Sequence, residues 1–222
     1  MVSGTNLKHM LRYRRNWNWT KFKGSPACVK WNFRDLENLD QAIKCVRQKN
    51  RQVAVQAGGN LGIFPKRLAE DFRSVYTFEP DPILFSHLKK NAPEKNIKAF
   101  EAALGCSREP VGVACCRRDN SGRPVHEGLT HIAGPGVIPQ MLLDDLKLKA
   151  CGLIYLDIEG YELNAFRGAE ETINKFKPVL AFEVNSNIAH YDSSKVEIRD
   201  WVVAHGYRKV LRKNGDDIYV PL

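Results

Sequence analysis

The chain has 222 residues, 43% hydrophobic and 27% charged, the usage of an ordinary globular domain and too short for two full-sized ones. No run reaches the roughly 18 uncharged apolar residues of a membrane helix, and the basic N-terminus lacks an apolar stretch with a small-residue cleavage site, so a membrane span and secretion are disfavoured and a cytoplasmic location is expected. The formal charge of +9 is uneven: residues 1–30 hold Lys8, Arg12, Arg14, Arg15, Lys21, Lys23 and Lys30 with no acid, leaving 27 basic against 25 acidic residues in 31–222.

Two units are expected, a basic aromatic arm over 1–34 and one domain over 35–222. An arm of this charge suits a polyanionic partner, because Lys and Arg release counterions condensed on phosphates. Tyr13, Trp17 and Trp19 interleave with its arginines; they suit stacking on bases, or alternatively pack on the domain. Six cysteines (Cys28, Cys45, Cys106, Cys115, Cys116 and Cys151) form no CxxC pair. They read as reduced thiols, neither a zinc ribbon nor a redox motif.

Leu36, Leu39, Ile43 and Val46 fall at helical spacing behind Asp35, a candidate N-cap, and predict a helix over 36–49. Val53–Val55 is a short strand running into Ala57-Gly58-Gly59-Asn60-Leu61-Gly62, after which Pro65 opens a helix to Phe72. Val75–Phe78 is a second strand closed by Glu79-Pro80, and Asp81-Pro82 caps a helix to about Lys90. Strands follow over 97–104 and 111–116. The stretch 117–136 contains four glycines and two prolines and reads as a long functional or disordered loop. A short helix over 142–148 precedes a strand at Leu153–Leu156, which ends in Asp157-Ile158-Glu159-Gly160. Leu163, Phe166, Ala169, Ile173 and Phe176 mark the next helical face, Val179–Val184 a strand, and 196–204 a helix. Asn214-Gly215 turns a terminal hairpin. Alternating strands and helices predict a doubly wound, mostly parallel α/β sheet to which the C-terminal hairpin adds one antiparallel strand.

Ligands of such sheets bind beyond the carboxyl ends of the strands. Those ends carry Gln56 with the glycine loop, Glu79, Asp157 with Glu159, and Glu183. Glycines let a ligand approach the backbone, and an acid closing the second strand accepts bonds from ribose hydroxyls, so a nucleoside-containing cofactor is expected. The same pattern suits NAD, and a tight turn without ligand also accounts for it.

Val55-Gln56-Ala57-Gly58-Gly59-Asn60-Leu61-Gly62, Phe78-Glu79-Pro80-Asp81-Pro82, Ala102-Ala103-Leu104-Gly105, Leu143-Asp144-Asp145-Leu146, Leu156-Asp157-Ile158-Glu159-Gly160-Tyr161-Glu162, Phe166-Arg167-Gly168-Ala169 and Phe182-Glu183-Val184 resemble, in order, the blocks of FkbM-type S-adenosylmethionine-dependent methyltransferases. The resemblance covers about residues 50–185, and the Asp-x-Glu-Gly-x-Glu block is its most specific part. It implies a seven-stranded, Rossmann-like class I methyltransferase sheet, S-adenosylmethionine at the glycine loop, and methyl transfer to a hydroxyl oxygen. By position, Ala57, Gly58, Gly59, Asn60 and Gly62 would meet the methionine part of the cofactor, Glu79 its ribose, and Glu101 and Ala102 its adenine. Asp157 and Glu159 would face the sulfonium and the acceptor. Gln56 departs from the family, which usually has an acid there. An amide still bonds the cofactor's amino group or a water but loses the ionic term.

Methyl transfer to a hydroxyl needs alignment and a base, for which Asp157, Glu159, His126 and His131 are candidates. Glu159 can instead cap the following helix, and Glu183 can bind backbone nitrogens. Asp157, Glu159 and Glu183 are oxygen ligands of the kind Mg²⁺ takes, but no metal is assigned. The acceptor is expected to bear a hydroxyl and to be anionic: a nucleotide, nucleic acid or phosphorylated glycan, with a sugar or other small hydroxyl compound also open. The alternatives are an NAD-dependent oxidoreductase on the same fold, which leaves the Asp-x-Glu-Gly-x-Glu block unexplained, and a non-catalytic nucleic-acid-binding module.

Overall fold

The computed structural model describes residues 26–115 and 130–222. Its elements in chain order are α1 (Pro26–Cys45), β1 (Val53–Ala57), α2 (Ile63–Ala69), β2 (Ser74–Phe78), α3 (Pro82–Asn91), β3 (Ile97–Phe100), β4 (Ala103–Leu104), β5 (Val111–Cys115), β6 (Thr130–Pro135), β7 (Gln140–Met141), β8 (Leu153–Leu156), α4 (Glu162–Arg167), α5 (Glu170–Phe176), β9 (Val179–Glu183), α6 (Lys195–Ala204), β10 (Tyr207–Lys213) and β11 (Asp216–Pro221). The main sheet has seven strands in the order β10-β11-β9-β8-β1-β2-β3. Neighbours from β3 to β9 are parallel, and β11 runs antiparallel to both β9 and β10. This is the expected sheet. Its order reverses between β1 and β8, where a doubly wound fold opens its binding crevice.

Period-two alternation along the central strands divides their side chains between two cores. Ala54, Leu153, Tyr155 and Ala181 face one side with Leu36, Leu39, Ile43 and Val46 of α1 and Leu68 of α2. Val55, Ile154, Leu156, Leu180 and Phe182 face the other with Leu163, Phe166, Ile173, Ile198 and Val202. Burial on both faces is why these strands read as continuous apolar runs. No helix among the described residues is long and apolar enough to cross a membrane.

Several boundaries differ from the sequence reading. α1 begins at Pro26, a residue suited to a first helical position, so Asp35 is interior to the helix and not its N-cap. The helix therefore runs across the expected junction of arm and domain at 34/35, and residues 1–25 of the arm lie outside the described residues. The strand expected over 97–104 is two: β3 ends opposite the last residue of β2, where its ladder partner turns away at Glu79, and β4 pairs with β7 in a small separate sheet. The helix expected over 142–148 is a 3-10 turn at Leu143–Leu146, ended by Lys147 at φ 46°. Asp144 in that turn instead accepts from the Glu171 and Thr172 amides at 2.9 and 2.8 Å, capping α5 from outside it. Part of the expected loop is a strand, since β6 pairs antiparallel with β5 and carries His131. β-branched Thr130 and Ile132 supply the strand preference that the surrounding glycines obscured. His126, Arg117, Arg118, Arg123 and Cys116 lie outside the described residues. At the C-terminus, Asn214 and Gly215 both have positive φ, 50° and 103°, which is the two-residue turn that matches strand twist.

The helical face after Gly160 is also broken, into α4 and α5 at Gly168. A Cβ there would lie 1.8 Å from the Gly105 carbonyl oxygen, so the chain makes its closest approach to the β4 segment at a residue without a side chain. Gly168→Ala is expected to cost about 1–3 kcal/mol, the range for overpacking a tight site. A lowered denaturation midpoint would show it, and an unchanged midpoint would mean that the two segments separate freely.

Candidate active site at the strand carboxyl ends

The glycine loop leaves β1 at the switch point. Gly58 has φ +82°, and a Cβ on it would fall 1.9 Å from the carbonyl oxygen of Asp157, so only glycine lets the loop rest on the end of β8. The loop's amides are largely used internally. Gly58 and Gly59 donate to the Phe78 carbonyl at 3.1 and 2.9 Å, and Gly62 donates to Gly59 at 2.8 Å. Asn60, at φ 45°, donates its N–H to Glu79 Oε2 at 2.6 Å, while Asp81 N–H reaches Glu79 Oε1 at 2.9 Å. Glu79, 4% exposed, thus clamps the loop to the start of α3. Burial pushes its carboxyl up to about 7 against the pull of those two amides.

Gln56 is fully buried beneath the loop. Its Oε1 accepts from Thr77 Oγ1 at 2.5 Å, and its Nε2 donates to the carbonyls of Ala57 and Gly58 at 3.0 and 2.8 Å. The amide expected to meet a cofactor is therefore spent on holding the loop. An acid at this position would set a carboxylate against those two carbonyls. After β3, Glu101 is exposed and Ala102 is buried.

At the ends of β8 and β9, carboxylate oxygens of Asp157, Glu159 and Glu183 all lie within 4.8 Å of one another. Asp157 and Glu159 do not lie on one extended segment, because Glu159 has φ 55° in a tight turn. Ile158, partly buried, packs against the second core. The turn is held by Glu162, 1% exposed, whose Oε1 accepts from the Ile158 and Gly160 amides at 3.1 and 3.3 Å. Burial raises Glu162 to about 8. Glu159 does not cap α4; its Oε2 accepts from the side-chain amides of Asn187 and Asn185 at 2.7 and 3.3 Å. Glu183 accepts from Asn185 Nδ2 at 2.6 Å. Behind the cluster, Tyr155 Oη donates to Asp216 Oδ2 at 2.5 Å.

Among the described residues no Lys or Arg forms an ion pair with Asp157, Glu159 or Glu183. The result is mutual elevation. Burial, then the charges of Glu183, Asp216 and Glu159, hold the Asp157 carboxyl well above its ordinary range, and Glu183 rises to about 7 for the same reasons. Such a group of acids favours a bound cation or a retained proton. Sequence reasoning missed Glu162, Asn185, Asn187 and Asp216 as parts of this arrangement. Asn185 and Asn187 follow the β9 end directly, so position alone marked them, whereas Asp216 arrives by the terminal hairpin opposite Glu183. His131 lies on β6, with its ring centroid 5.8 Å from that of His190.

The model of the methyltransferase FkbM domain matches residues 64–209. Comparison with the curated proteins returns no match. Among solved structures, methyltransferase FkbM from Methylobacillus flagellatus KT is similar at TM-score 0.52 and 16% identity, over 97% of this chain and 60% of that one. The ribosomal protein L11 methylase from Lactobacillus delbrueckii subsp. bulgaricus is similar at TM-score 0.52 and 12% identity, over 90% of this chain and 80% of that one. This chain thus spans about 60% of the length of the FkbM structure. At these identities the likeness is one of fold. Because the domain match takes in well over half of the sequence, including the second to fifth strands of the main sheet and the acidic turn, the chain belongs to the FkbM methyltransferase family.

Proposed function

We propose that the protein binds S-adenosylmethionine at the glycine loop and methylates a hydroxyl oxygen. The observation that carries this reading is the group Asp157, Glu159 and Glu183, with which no Lys or Arg among the described residues forms an ion pair, beside a loop whose glycine rests on Asp157 itself. Carboxylates suit the cofactor's ammonium and sulfonium charges, and when bound it supplies a methyl group already activated by the sulfonium. NAD fits less well. Its pyrophosphate needs free backbone N–H groups, yet the amides of Gly58, Gly59, Asn60 and Gly62 are already donated to protein acceptors.

On this reading Glu79, held by two amides, turns its remaining lone pairs to the ribose hydroxyls. Asp157 orients the charged end of the cofactor. Glu159, tethered by two asparagine amides, or Asp157 receives the acceptor's proton, and their elevated carboxyls bring them nearer the range useful to a base. His126 and His131 stay candidates for the same proton. Calorimetry is expected to give S-adenosylhomocysteine binding on the order of micromolar. Glu79→Ala should weaken it by about 1.5–3 kcal/mol through loss of charge-assisted bonds; saturable NAD binding in its place would overturn the assignment. With labelled cofactor and a hydroxyl acceptor, Asp157→Asn or Glu159→Gln should lower turnover by about 10²–10⁴-fold if the altered residue is the base. Near-normal turnover in both would move the base to the histidines.

The same carboxyls set a pH dependence. Glu79 and Glu183 at about 7 and Glu162 at about 8 keep protons in the fold that the unfolded chain, with an ordinary value of 4.5, has already released. Their stabilising contribution is complete below that ordinary value and is lost as pH rises through 7 to 8. The melting temperature of the ligand-free protein should therefore fall between about pH 5.5 and 8. Glu162→Gln, uncharged but still an acceptor, should flatten the upper part of the fall; a profile unaltered by it would mean that Glu162 titrates as a solvated acid.

A further inference from the structure

At the end of the sheet opposite the acids, the loops that enter β3, β2, β1 and β8, four neighbouring strands, carry exposed cations: Lys95, Arg73, Lys49 with Arg47, and Lys149 respectively. Backbone bonds hold these loops side by side. Val75 donates to the Asn96 carbonyl at 2.9 Å, Arg73 and Ser74 donate to Arg51 and Gln52 at 3.1 and 2.9 Å, and Gly152 donates to Val53 at 2.8 Å. A Cβ on Gly152 would lie 2.1 Å from the Asn50 carbonyl oxygen, so the loop bearing Lys149 is pressed against the 3-10 turn Gln48–Asn50. We propose that this row of cations is a docking surface for the phosphate backbone of duplex nucleic acid, separate from the crevice. The inference does not rest on the methyltransferase reading above.

Charge pairing carries the argument. The acids of the loops entering β2 and β3 are already engaged by other cations: Asp71 by Arg51 at 2.6 Å and by Arg67, Glu70 by Arg67 at 3.7 Å, and Glu94 by Lys66. The loops entering β1 and β8, residues 46–52 and 147–152, contain no acid. Arg47, Lys49, Arg73, Lys95 and Lys149 form no ion pair among the described residues. The segments outside the description add no net negative charge, since residues 1–25 have no acid and 116–129 set Arg117, Arg118 and Arg123 against Asp119 and Glu127. Neighbouring strands are about 4.8 Å apart, so the row from β3 to β8 extends roughly 14 Å. A duplex carries one charge per about 1.7 Å of its axis, and a line of that length meets several phosphates. The kind of polyanion follows from what these loops lack. Residues 46–52, 70–74, 92–96 and 147–152 expose no large apolar side chain, and their one aromatic residue, Phe72, is buried. Single strands are held by aromatic platforms under their bases, and interfacial membrane binding inserts apolar side chains. A duplex backbone is bound by cations alone. The acidic crevice lies a strand's length away, roughly 15 Å, so a duplex on this row stays clear of charges that repel it.

The test uses the full chain and a fluorescent DNA duplex two helical turns long, with anisotropy measured over a series of salt concentrations. Dissociation constants on the order of 10⁻⁶ to 10⁻⁴ M at physiological salt are expected, weakening steeply as salt rises. Because the arm also carries cations, two triple variants separate the surfaces: Lys49→Gln with Arg73→Gln and Lys95→Gln on the row, and Arg12→Gln with Arg14→Gln and Arg15→Gln on the arm. The row variant should bind the duplex about tenfold more weakly and lose about two to three from the slope of log affinity against log salt, near 0.9 for each phosphate contact removed. Its melting temperature should not change, since the substituted side chains are exposed and unpaired. In the unaltered protein, saturating duplex should suppress acetylation of Lys49, Lys95 and Lys149 by a water-soluble reagent, read by mass spectrometry, which locates the surface without any substitution. An unchanged affinity and salt slope in the row variant, with the arm variant accounting for all of the binding, would overturn the proposal. Undiminished acetylation of the three lysines would do the same. Tighter binding to phosphatidylserine vesicles or to a poly(dT) single strand than to the duplex would replace the partner named here by a membrane or an unpaired strand.

Discussion

The backbone of Gly58 is pressed against the Asp157 carbonyl closely enough to exclude any side chain, and the rest of the site depends on that contact. It joins β1 to β8 across the point where the strand order reverses, and the Asp157 amide answers by donating to Ala57 at 3.1 Å. With residue 58 at φ +82°, the following amides turn inward to the Phe78 carbonyl and to Glu79. Three strand ends are thereby locked together. The amides of Gly58, Gly59, Asn60 and Gly62 are consequently engaged within the protein, and carboxyl oxygens stand beside them, the opposite polarity to a phosphate cradle.

Keeping several carboxyls together is expensive: two like charges 4 Å apart repel by about 4 kcal/mol at the effective dielectric of a protein surface. The described cations nearest these acids pair with other carboxylates. On β11, Asp217 is fully buried and meets Arg199 and Arg212 at 2.9 and 3.0 Å with Lys209 at 3.6 Å, and buried Asp40 on α1 meets Arg67 at 2.9 Å. One residue before Asp217, on the opposite face of the same strand, Asp216 takes a tyrosine hydroxyl, and Glu159 and Glu183 take asparagine amides. Among the described residues, Asp40 and Asp217 receive full counter-charges, while Glu159, Glu183 and Asp216 receive neutral donors. Neutral donors orient a carboxylate without cancelling its field, and a field left standing at the crevice is available to a ligand's positive charge.

Much of this was legible in the chain. The sheet could be read because each central strand is an apolar run ended by an acid or glycine, and Asp157 and Glu159 stood out for following Leu153–Leu156 directly. Three features were not legible, each for a physical reason. Gln56 looks like a surface ligand in sequence, but its destination depends on Thr77 of the neighbouring strand. The turn at Glu159 needs a positive φ that no local residue announces, since the stabilising carboxyl belongs to Glu162 and acts through backbone amides. Asp216 joins the cluster only because an Asn-Gly turn sets β11 beside β9, a pairing decided by tertiary structure.

The acidic turn and the 3-10 turn Asn187–Tyr191 after β9 are packed as one piece. Gly160, at φ 101°, packs so closely on the Asn187–Ile188 peptide that a Cβ would lie 2.5 Å from the Asn187 carbonyl carbon. From that point the chain on one side bears Glu159 and Tyr161, and on the other bears Asn187, which bonds Glu159, and then His190 and Tyr191. Moving either segment would break the hydrogen bond from the Asn187 amide to Glu159 and the edge-to-face contact of the two tyrosines together. The two tyrosine rings are therefore placed relative to the Glu159 carboxylate by backbone contact, without help from a flexible side chain. Methyl transfer gains chiefly from such alignment, because an activated methyl group asks little of the protein beyond an oxygen delivered in line and a base to receive its proton.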